Sequence, residues 1–372
     1  SFWHKVYEPF IRKAAGFGIA SLEKDKERYE HKYEYCDLLV TGSGPAGLSS
    51  AYAAAKNGAK VILAEDKPRF GGSLLTDDVT IDNLSGKAWT DKIITQLKEM
   101  PNVIVKNRSQ VFGYYDHNMT VMIEKTGDHL KDKPKYVPRQ RLWYIRAKEV
   151  ILSTGSIERP IVFGNNDTPG VFLSAAAKEY IKVYGVLVGK KPLVFTNNDS
   201  GYETALEFKK HGVDPIILDT REEHSSELID SAKNQNIKIK FASAVIAANG
   251  YKKVNSAQIG KLNKDKTSFV NSENIECDCI CVSGFWTPTV HLASQSGNKL
   301  KFDDKIDAFV PDKSKQNETS IGASKGTFTL QDILDEGFKK GFDISKKITN
   351  NNNLTSTPSS NEIKKSPSDK FW

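Results

Sequence analysis

The stretch Cys36-Asp-Leu-Leu-Val-Thr-Gly-Ser-Gly-Pro-Ala-Gly47 decides the fold of this chain. A short apolar run leads into a glycine loop, and an alanine-rich run follows from Leu48 to Lys56. This order predicts a strand, a phosphate-binding loop and a helix. In such a unit the first glycine permits the tight turn, the second lets the backbone approach a pyrophosphate, and the third lets helix and strand pack closely. Backbone N–H groups at the start of the helix attract the anion.

A second buried strand follows this helix and ends in a carboxylate. Gly58 ends the helix, and Lys60-Val-Ile-Leu-Ala64 leads into Glu65. An acidic residue about 20 positions after the glycine loop accepts hydrogen bonds from the ribose of an adenine dinucleotide. The same carboxylate would repel a 2′-phosphate, which argues against NADP and leaves NAD and FAD. The alternative is a strand-loop-helix-strand unit that keeps its glycines only for packing and binds no nucleotide. The candidate cofactor-binding residues of this unit are Gly42, Ser43, Gly44, Pro45, Ala46, Gly47 and Glu65.

Three later segments carry glycines that are candidates for the same site. In Asp66-Lys-Pro-Arg-Phe-Gly-Gly-Ser73, Gly72 would lie against the cofactor, although a surface turn explains it equally well. The apolar strand Glu149-Val-Ile-Leu-Ser-Thr-Gly-Ser156 ends at Thr154 and Gly155, and Gly322 returns with the segment 319–326. From Val111 to Arg146 the residues alternate, which predicts an inserted antiparallel meander.

A second strand-helix-strand unit lies between residues 192 and 219. Its turn reads Thr196-Asn-Asn-Asp-Ser-Gly201 and keeps only the last glycine of the fingerprint. Side chains at positions 196 and 198 would obstruct a pyrophosphate, and Asp199 would repel it. The turn therefore predicts a domain that serves packing and subunit contact, with Asp199 or Ser200 capping the following helix. A nicotinamide nucleotide bound as substrate at this turn is the alternative.

Composition excludes several function classes. The 372 residues include 53 basic and 46 acidic side chains, and the lysines are scattered among acids, which is typical of a solvated surface and not of a nucleic-acid site. The four cysteines form no C-x-x-C pair, which argues against a redox dithiol or a metal site. Cys277, Cys279 and Cys281 alternate along one predicted strand, so we expect them to be buried on one face.

The sequence predicts a cytoplasmic protein without a membrane partner. No apolar run reaches the length of a membrane span, and the first residues do not read as a signal peptide. Ser1 stands where an initiator methionine would be, so we expect the chain to be a region of a longer protein.

The predicted fold class is α/β: an FAD/NAD(P)-binding Rossmann-like domain with a nested second Rossmann-like domain and a β-meander insertion. We expect a helical lead-in, the first part of the dinucleotide-binding domain, the nested domain, a return to the first domain and a low-complexity tail or linker. Their predicted bounds are residues 1–33, 34–160, 161–275, 276–345 and 346–372, respectively. The tail is rich in Asn, Ser, Thr, Pro and Lys, a composition that does not bury a core.

The order of these units resembles the two-dinucleotide-domain flavoproteins of the pyridine nucleotide-disulfide reductase family. From about Phe2 to Lys346 the chain more closely resembles the α subunit of heterotetrameric sarcosine oxidases. The strings that carry this resemblance are Tyr7-Glu-Pro-Phe-Ile-Arg-Lys-Ala-Ala-Gly16, Val111-Phe-Gly-Tyr-Tyr-Asp-His117, Glu158-Arg-Pro160, Phe195-Thr-Asn-Asn-Asp-Ser200 and Pro288-Thr-Val-His-Leu292.

The resemblance implies the NAD-binding region of such a subunit. In the full complex this region would support oxidative demethylation of sarcosine to glycine, with one-carbon transfer to tetrahydrofolate. In that family NAD⁺ belongs to the α subunit, FAD and FMN belong to a flavin-binding β subunit, and smaller subunits complete the hetero-oligomer. The resemblance thus implies an oxidoreductase subunit that is inactive as an isolated chain, with no catalytic residue assigned. The family's ferredoxin-like and folate-binding segments have no counterpart in these 372 residues.

Matching the family's motifs residue by residue implies the NAD contacts. FAD-binding reductases place an aspartate after the returning glycine to hold the ribityl chain, whereas Ala323 follows Gly322 here, which favours NAD over FAD. The implied contacts are Gly42, Gly44, Ala46, Glu65, Asp66, Lys67, Ser73, Val111, Ala323 and Phe328.

Two alternatives stay open. One is the equivalent subunit of an N-methylglutamate dehydrogenase or an opine oxidase, because another chain selects the amine. The other is an autonomous FAD-dependent NAD(P)H oxidoreductase, which needs an intact second glycine loop and usually a redox cysteine pair.

Overall fold

The structure is a computed structural model that describes residues 2–18, 21–353, 356–363, 365–366 and 368–371. Its α-helices are α1 Glu8–Ala14, α2 Pro45–Lys56, α3 Gly86–Glu99, α4 Ser174–Tyr184, α5 Ser200–Lys210, α6 Glu227–Asn234, α7 His291–Gln295 and α8 Leu330–Thr349. A π-helical turn, Trp3–Tyr7, precedes α1, and the 3₁₀ turns are Gly72–Leu75, Asp116–Asn118 and Gly322–Lys325.

The strands divide between the two α/β units and the connections around them. The first half of the chain contains β1 Tyr29–Thr41, β2 Val61–Ala64, β3 Thr80–Ile81, β4 Leu84–Ser85, β5 Val103–Lys106, β6 Ser109–Tyr115, β7 Met119–Glu124, β8 Gln140–Leu152, β9 Ser156–Glu158 and β10 Val171–Leu173. The second half contains β11 Pro192–Thr196, β12 Ile216–Asp219, β13 Lys238–Lys240, β14 Ser243–Asn249, β15 Ser256–Leu262, β16 Phe269–Glu276, β17 Cys279–Ser283, β18 Trp286–Pro288, β19 Leu300–Asp303, β20 Ala308–Pro311, β21 Glu318–Ser320 and β22 Ser360–Asn361.

The first sheet carries the glycine loop. Its strand order is β5-β2-β1-β8-β7-β6, and β21 joins the inner half of β8. Strands β5, β2, β1, β8 and β21 run parallel, whereas β6, β7 and β8 form the antiparallel meander. Leu38 and Val40 face a core shared with α2, α3 and α8, and Leu39 faces a second core shared with the meander. Burial on both faces is the usual state of a parallel sheet.

The nested unit is a second parallel sheet of order β10-β17-β11-β12-β13. One face packs against α4, α5 and α6, and the other against the antiparallel sheet β14-β15-β16. The predicted α/β class is therefore confirmed, with its Rossmann-like domain, nested second Rossmann-like domain and β-meander.

Two strands are longer than the sequence predicted. Strand β1 begins at Tyr29, inside the segment 1–33 that was expected to be a helical lead-in. Strand β8 joins the predicted last meander strand and the predicted Thr-Gly strand into one, because it pairs in parallel with β1 along nearly its whole length. In the outer half of this pair, Tyr33 and Tyr144 stack with ring centroids 4.9 Å apart.

Helix α8 lies unusually close to α2. It runs for 20 residues from Leu330 to Thr349. A Cβ atom added at Gly337 would lie 2.5 Å from the Ala46 carbonyl oxygen, and one added at Gly341 would lie 2.2 Å from the Ser50 carbonyl oxygen. Only glycine permits this separation of the two helices.

The described residues of segment 346–372 make more contacts with the rest of the chain than we expected of a low-complexity tail. Strand β22 pairs with β3, and Phe371 packs against the core between the nested sheet and β14-β15-β16. The expectation from composition overlooked these contacts because they are made by isolated side chains and backbone groups, not by an apolar run.

The cysteines are buried, but they do not share one face. Cys279 and Cys281 lie in the core beneath α4, α5 and α6, whereas Cys277 lies in the core on the other side of the sheet. The prediction of a common face is wrong because Cys277 precedes β17 and does not follow its alternation.

Among the described residues, no group of three or more His, Cys, Asp or Glu side chains is arranged to hold a metal ion. Within that same part of the chain, no helix combines the length and apolarity needed to cross a bilayer.

Candidate dinucleotide site

The glycine loop joins β1 to α2, and its glycines have different roles. Gly42 has φ +98°, and a Cβ atom on it would lie 2.3 Å from the Ser153 carbonyl oxygen. A Cβ atom on Gly47 would lie 1.9 Å from the Gly42 carbonyl oxygen. Gly44 precedes the first turn of α2, and a Cβ atom on it would meet no atom within 4 Å. The fold thus requires Gly42 and Gly47, whereas Gly44 faces open space at the helix N-terminus, where a phosphate fits.

Glu65 connects the end of β2 to this loop. One carboxylate oxygen accepts hydrogen bonds from the Ser43 N–H at 2.9 Å and the Ser43 hydroxyl at 2.5 Å, and the other accepts from the Lys67 N–H at 2.9 Å. Burial and the neighbouring Asp66 raise the pKa of Glu65 to about 7. Three of the about four acceptor positions of the carboxylate are thus occupied, so Glu65 keeps one for a ribose hydroxyl beside the loop.

The segment after β2 returns to the loop. The Gly71 N–H donates to the Ser43 carbonyl oxygen at 3.1 Å, and a Cβ atom on Gly72 would lie 3.0 Å from the Gly44 Cα. Gly72 therefore lies against the loop, and Ser73 follows it in an exposed 3₁₀ turn. Asp66 and Lys67 are exposed, and the Lys67 ammonium pairs with Glu179 of α4 at 3.1 Å.

Two strand ends border the same region. The Ser109 N–H donates to the Glu65 carbonyl oxygen at 2.7 Å, which aligns β6 and its residue Val111 with the end of β2. After β8, the Thr154 hydroxyl donates to the Thr289 carbonyl oxygen at 3.0 Å. Gly155 has φ +72°, and the space where its Cβ would lie is open.

The returning segment lies over the first turn of α2. A Cβ atom on Gly322 would lie 2.9 Å from the Ala46 Cβ, so glycine is required for this approach. Ala323 is half-buried in the 3₁₀ turn that follows. The Phe328 ring packs edge-on against Phe285 with centroids 5.2 Å apart. The structure thus brings the candidate segments around Gly44, Gly72 and Gly322 together at one end of α2.

Sequence reasoning missed three residues at this site. The Ser153 hydroxyl donates to the Thr41 and Gly42 carbonyl oxygens at 2.8 and 2.9 Å and fixes the base of the loop. Glu336 accepts the Gly322 N–H at 2.9 Å. Phe285 has φ +77°, a conformation that is rare for an aromatic residue. Ser153 could have been found from its place before Thr154, but the other two depend on contacts between distant segments.

Glu158 lies in β9 and is 4 % exposed. One of its oxygens accepts the Ala175 N–H at 2.6 Å, at the start of α4. The other has no hydrogen-bond partner in the part of the chain that the structure describes. Burial raises the pKa of Glu158 to about 7 from an ordinary value of 4.5.

Glu158 should make the stability of the chain depend on pH. Because its folded-state pKa is raised, its contribution to stability is fully present below pH 4.5 and is lost as the pH rises through about 7. A shift of this size corresponds to about 3 kcal/mol, so Glu158→Gln should be more stable than wild type by up to that amount at alkaline pH. Urea unfolding at a series of pH values measures this difference. The exposed Glu99→Gln serves as control, and a Glu158→Gln difference that does not change with pH would contradict the prediction.

The chemistry of this site fits a dinucleotide. The open space at Gly44 accepts a group that a side chain would exclude, and the helix N-terminus favours an anion. Glu65 offers an acceptor for a hydroxyl group.

Comparison with known proteins finds relatives among oxidase subunits. The chain is 35 % identical over 347 residues to the alpha subunit of the sarcosine oxidase of Rhizobium meliloti (strain 1021), which covers 93 % of this chain and 34 % of that protein. It is 24 % identical to an opine oxidase subunit of Agrobacterium tumefaciens (strain Ach5), covering 75 % of this chain and 58 % of that protein. The chain spans about a third of the length of the sarcosine oxidase subunit that it matches.

A solved structure shares the fold. The L-proline dehydrogenase of P. horikoshii superposes with a TM-score of 0.64 at 20 % identity, covering 88 % of this chain and 58 % of that one. Residues 36–321, which run from the second half of β1 through β21 and include the nested unit, match the pyridine nucleotide-disulphide oxidoreductase family. With its glycine loop, nested second unit and this match over more than half of its length, the chain belongs to the pyridine nucleotide-disulphide oxidoreductase family.

Proposed function

We propose that this chain is the NAD-binding region of the alpha subunit of a heterotetrameric sarcosine oxidase. In the full complex it would support the oxidative demethylation of sarcosine to glycine, with one-carbon transfer to tetrahydrofolate. The observation that carries the proposal is the open glycine loop held by buried Glu65, in a chain 35 % identical to a sarcosine oxidase alpha subunit over 93 % of its length.

NAD is proposed over FAD on the basis of the returning segment. The residue after Gly322 is Ala323, so the carboxylate that would hold a ribityl chain is missing at that position. The Gly322 N–H is already bonded to Glu336. In this proposal the N-terminal turn of α2 holds the pyrophosphate, and Glu65 accepts hydrogen bonds from the adenosine ribose. The bound NAD would supply a nicotinamide able to take a hydride.

The purified chain should release NAD⁺ when it is denatured. The site combines an anion-binding helix terminus with a buried acceptor for ribose, so the nucleotide should survive purification. Mass spectrometry of the supernatant after denaturation and filtration identifies and counts the released molecule. Release of FAD, or of no dinucleotide, would contradict the proposal.

The flavins and the amine site are proposed to belong to partner subunits. Amine oxidation needs a flavin or an equivalent acceptor for the hydride, and the proposal gives this chain a single dinucleotide site. The N-terminal turn and α1 support a partner, because they bury no residue and expose Phe2, Trp3, Tyr7 and Phe10. Exposed apolar clusters of this kind are typical of protein interfaces. The chain alone is therefore expected not to oxidise sarcosine.

An equivalent subunit of an opine oxidase or an N-methylglutamate dehydrogenase is the alternative that the similarity to an opine oxidase favours. In that case the nucleotide released on denaturation would be the same, and only the amine oxidised by the assembled complex would differ. Comparing sarcosine with an opine as substrate of the reconstituted complex separates the two.

A further inference from the structure

The nested sheet ends at a crevice where this type of fold binds its ligand. Doubly wound sheets bind ligands outside the carboxyl ends of their strands, at the point where the strand order reverses. Here β11 lies between β12 and β17, and the turn after β11 is the segment Thr196–Gly201. A nucleotide would have to approach this turn and the adjacent end of β12.

The side chains of the turn itself fill the space inside it. The Thr196 hydroxyl donates to the Asn198 carbonyl oxygen at 2.7 Å, and the Asn198 amide donates to the Ser283 carbonyl oxygen at 3.0 Å. A Cβ atom on Gly201 would lie 2.6 Å from the Thr196 Cβ. The side chains of the turn thus occupy the space that a glycine loop leaves open for phosphate.

The predicted helix cap does not form. Asp199 makes no capping hydrogen bond to α5, and the Ser200 hydroxyl instead accepts from the Trp286 indole N–H at 3.1 Å. The Ser200 N–H is bonded to the Asn198 side-chain oxygen at 2.8 Å. The prediction that Asp199 or Ser200 caps α5 is therefore wrong, and Asp199 is left to bind another segment.

That segment is the chain's own C-terminal strap, whose described residues are 356–363, 365–366 and 368–371. The Asp369 N–H donates to the Asn197 carbonyl oxygen at 2.9 Å, and the Asn197 side-chain amide donates back to the Asp369 carbonyl oxygen at 2.8 Å. The Ser366 N–H donates to the Asp199 carboxylate at 2.7 Å. Asn197 and Asp199 therefore recognise the backbone of the strap, as a peptide-binding site does.

Side chains strengthen the same contact. Lys365 pairs with Glu203 of α5 at 2.7 Å, Asp369 pairs with Lys266, and the Phe371 ring packs on the core beneath β14-β15-β16. Asn197 is fully buried and Asp199 is 1 % exposed, although they lie at the open end of a sheet. The strap is what covers that end.

The other end of the strap is held by the first domain. Strand β22 pairs with β3, and the Asp82 N–H donates to the Ser359 carbonyl oxygen at 2.8 Å. The Glu362 carboxylate accepts the Leu330 N–H, at the start of α8, at 2.6 Å. The strap therefore spans both Rossmann-like units.

We propose that the carboxyl end of the nested sheet is a peptide-binding site whose ligand is the strap, held there in place of a nucleotide. The polar turn supplies acceptors and donors for peptide groups. Asp199 and Asp219 both pair with Arg221, which leaves these three side chains with a net negative charge unsuited to phosphate. By filling this site the strap fixes the nested domain against the first one. The proposal does not depend on which amine the full complex oxidises.

Amide hydrogen exchange on the full chain tests the proposal. The amides of Ser366 and Asp369 should exchange slowly in wild type, and Phe371→Ala or Asn197→Ala should accelerate both by about tenfold or more. Phe309→Ala, an exposed phenylalanine on β20, should leave them unchanged. Exchange at the rate of a free peptide in wild type, or no acceleration in either variant, would overturn the proposal.

A competition experiment separates a peptide site from a concealed nucleotide site. A synthetic peptide of residues 363–372 should bind the Phe371→Ala chain, and NADH or NADPH should not displace it. Failure of the peptide to bind would contradict the proposal. Displacement of the peptide by either nucleotide would show that the crevice is a nucleotide site which the strap only covers.

Discussion

Gly44→Val should abolish retention of the dinucleotide and leave the fold intact. A Cβ atom at this position meets no protein atom within 4 Å, so we expect the folded chain to accommodate the side chain. The same side chain would occupy the space in which the loop meets a pyrophosphate, and the affinity should fall by about 100-fold or more. Calorimetric titration of the stripped chain with NAD⁺, together with circular dichroism, measures both effects.

Two other glycines serve as controls for this experiment. Gly18→Val, at an exposed position with no neighbour within 4 Å, should change neither binding nor folding. Gly47→Val should damage folding itself, because its Cβ would lie 1.9 Å from the Gly42 carbonyl oxygen. A Gly44→Val chain that still carries stoichiometric dinucleotide would exclude the loop as the binding site.

Gly341→Val should destabilise the chain strongly. Its Cβ would lie 2.2 Å from the Ser50 carbonyl oxygen, so α8 would have to move away from α2. Overpacking of this kind costs about 3 kcal/mol. Intrinsic helix propensity works in the opposite direction, because valine is slightly better than glycine inside a helix. The loss should therefore come from the helix contact alone, and it is measured as a fall in the urea midpoint.

Lys339→Val on the exposed face of α8 is the matched control. It places the same β-branched side chain on the same helix without contact to α2, and we expect its midpoint to stay close to that of wild type. Helix propensity favours valine over glycine but lysine over valine, so it cannot make Gly341→Val the more destabilising change. A fall in the midpoint at Gly341→Val no larger than that at Lys339→Val would contradict the prediction.

The glycine loop and Glu65 could be predicted because their signal is local. The order of strand, glycine loop, helix, strand and carboxylate is contained in the chain from Cys36 to Glu65. Gly72 could not be separated from a surface turn, since its approach to Gly44 is a tertiary contact. Whether a given residue contacts the bound nucleotide stays a prediction.

Two of the errors came from contacts between distant residues. The sequence predicted a meander that ends at Arg146 and a separate strand that begins at Glu149, but the equally long β1 pairs across that point and keeps β8 continuous. Asp199 matched the local pattern of a helix cap, yet its partner Ser366 is 167 residues away. The local secondary-structure propensity of a segment does not show which distant residue that segment will pair with.

The length of β1 limits what a docked partner could do chemically. At about 3.3 Å per residue, β1 reaches about 40 Å from Tyr29 at its outer end to the glycine loop, and the stacked Tyr33 and Tyr144 lie about 26 Å from the loop. Hydride transfer requires the reacting atoms to be within about 3.5 Å of each other. A flavin held by a partner on the outer end would therefore be too far away to exchange a hydride with a dinucleotide in the loop. Docking at that end would give the dinucleotide a structural role in place of electron transfer.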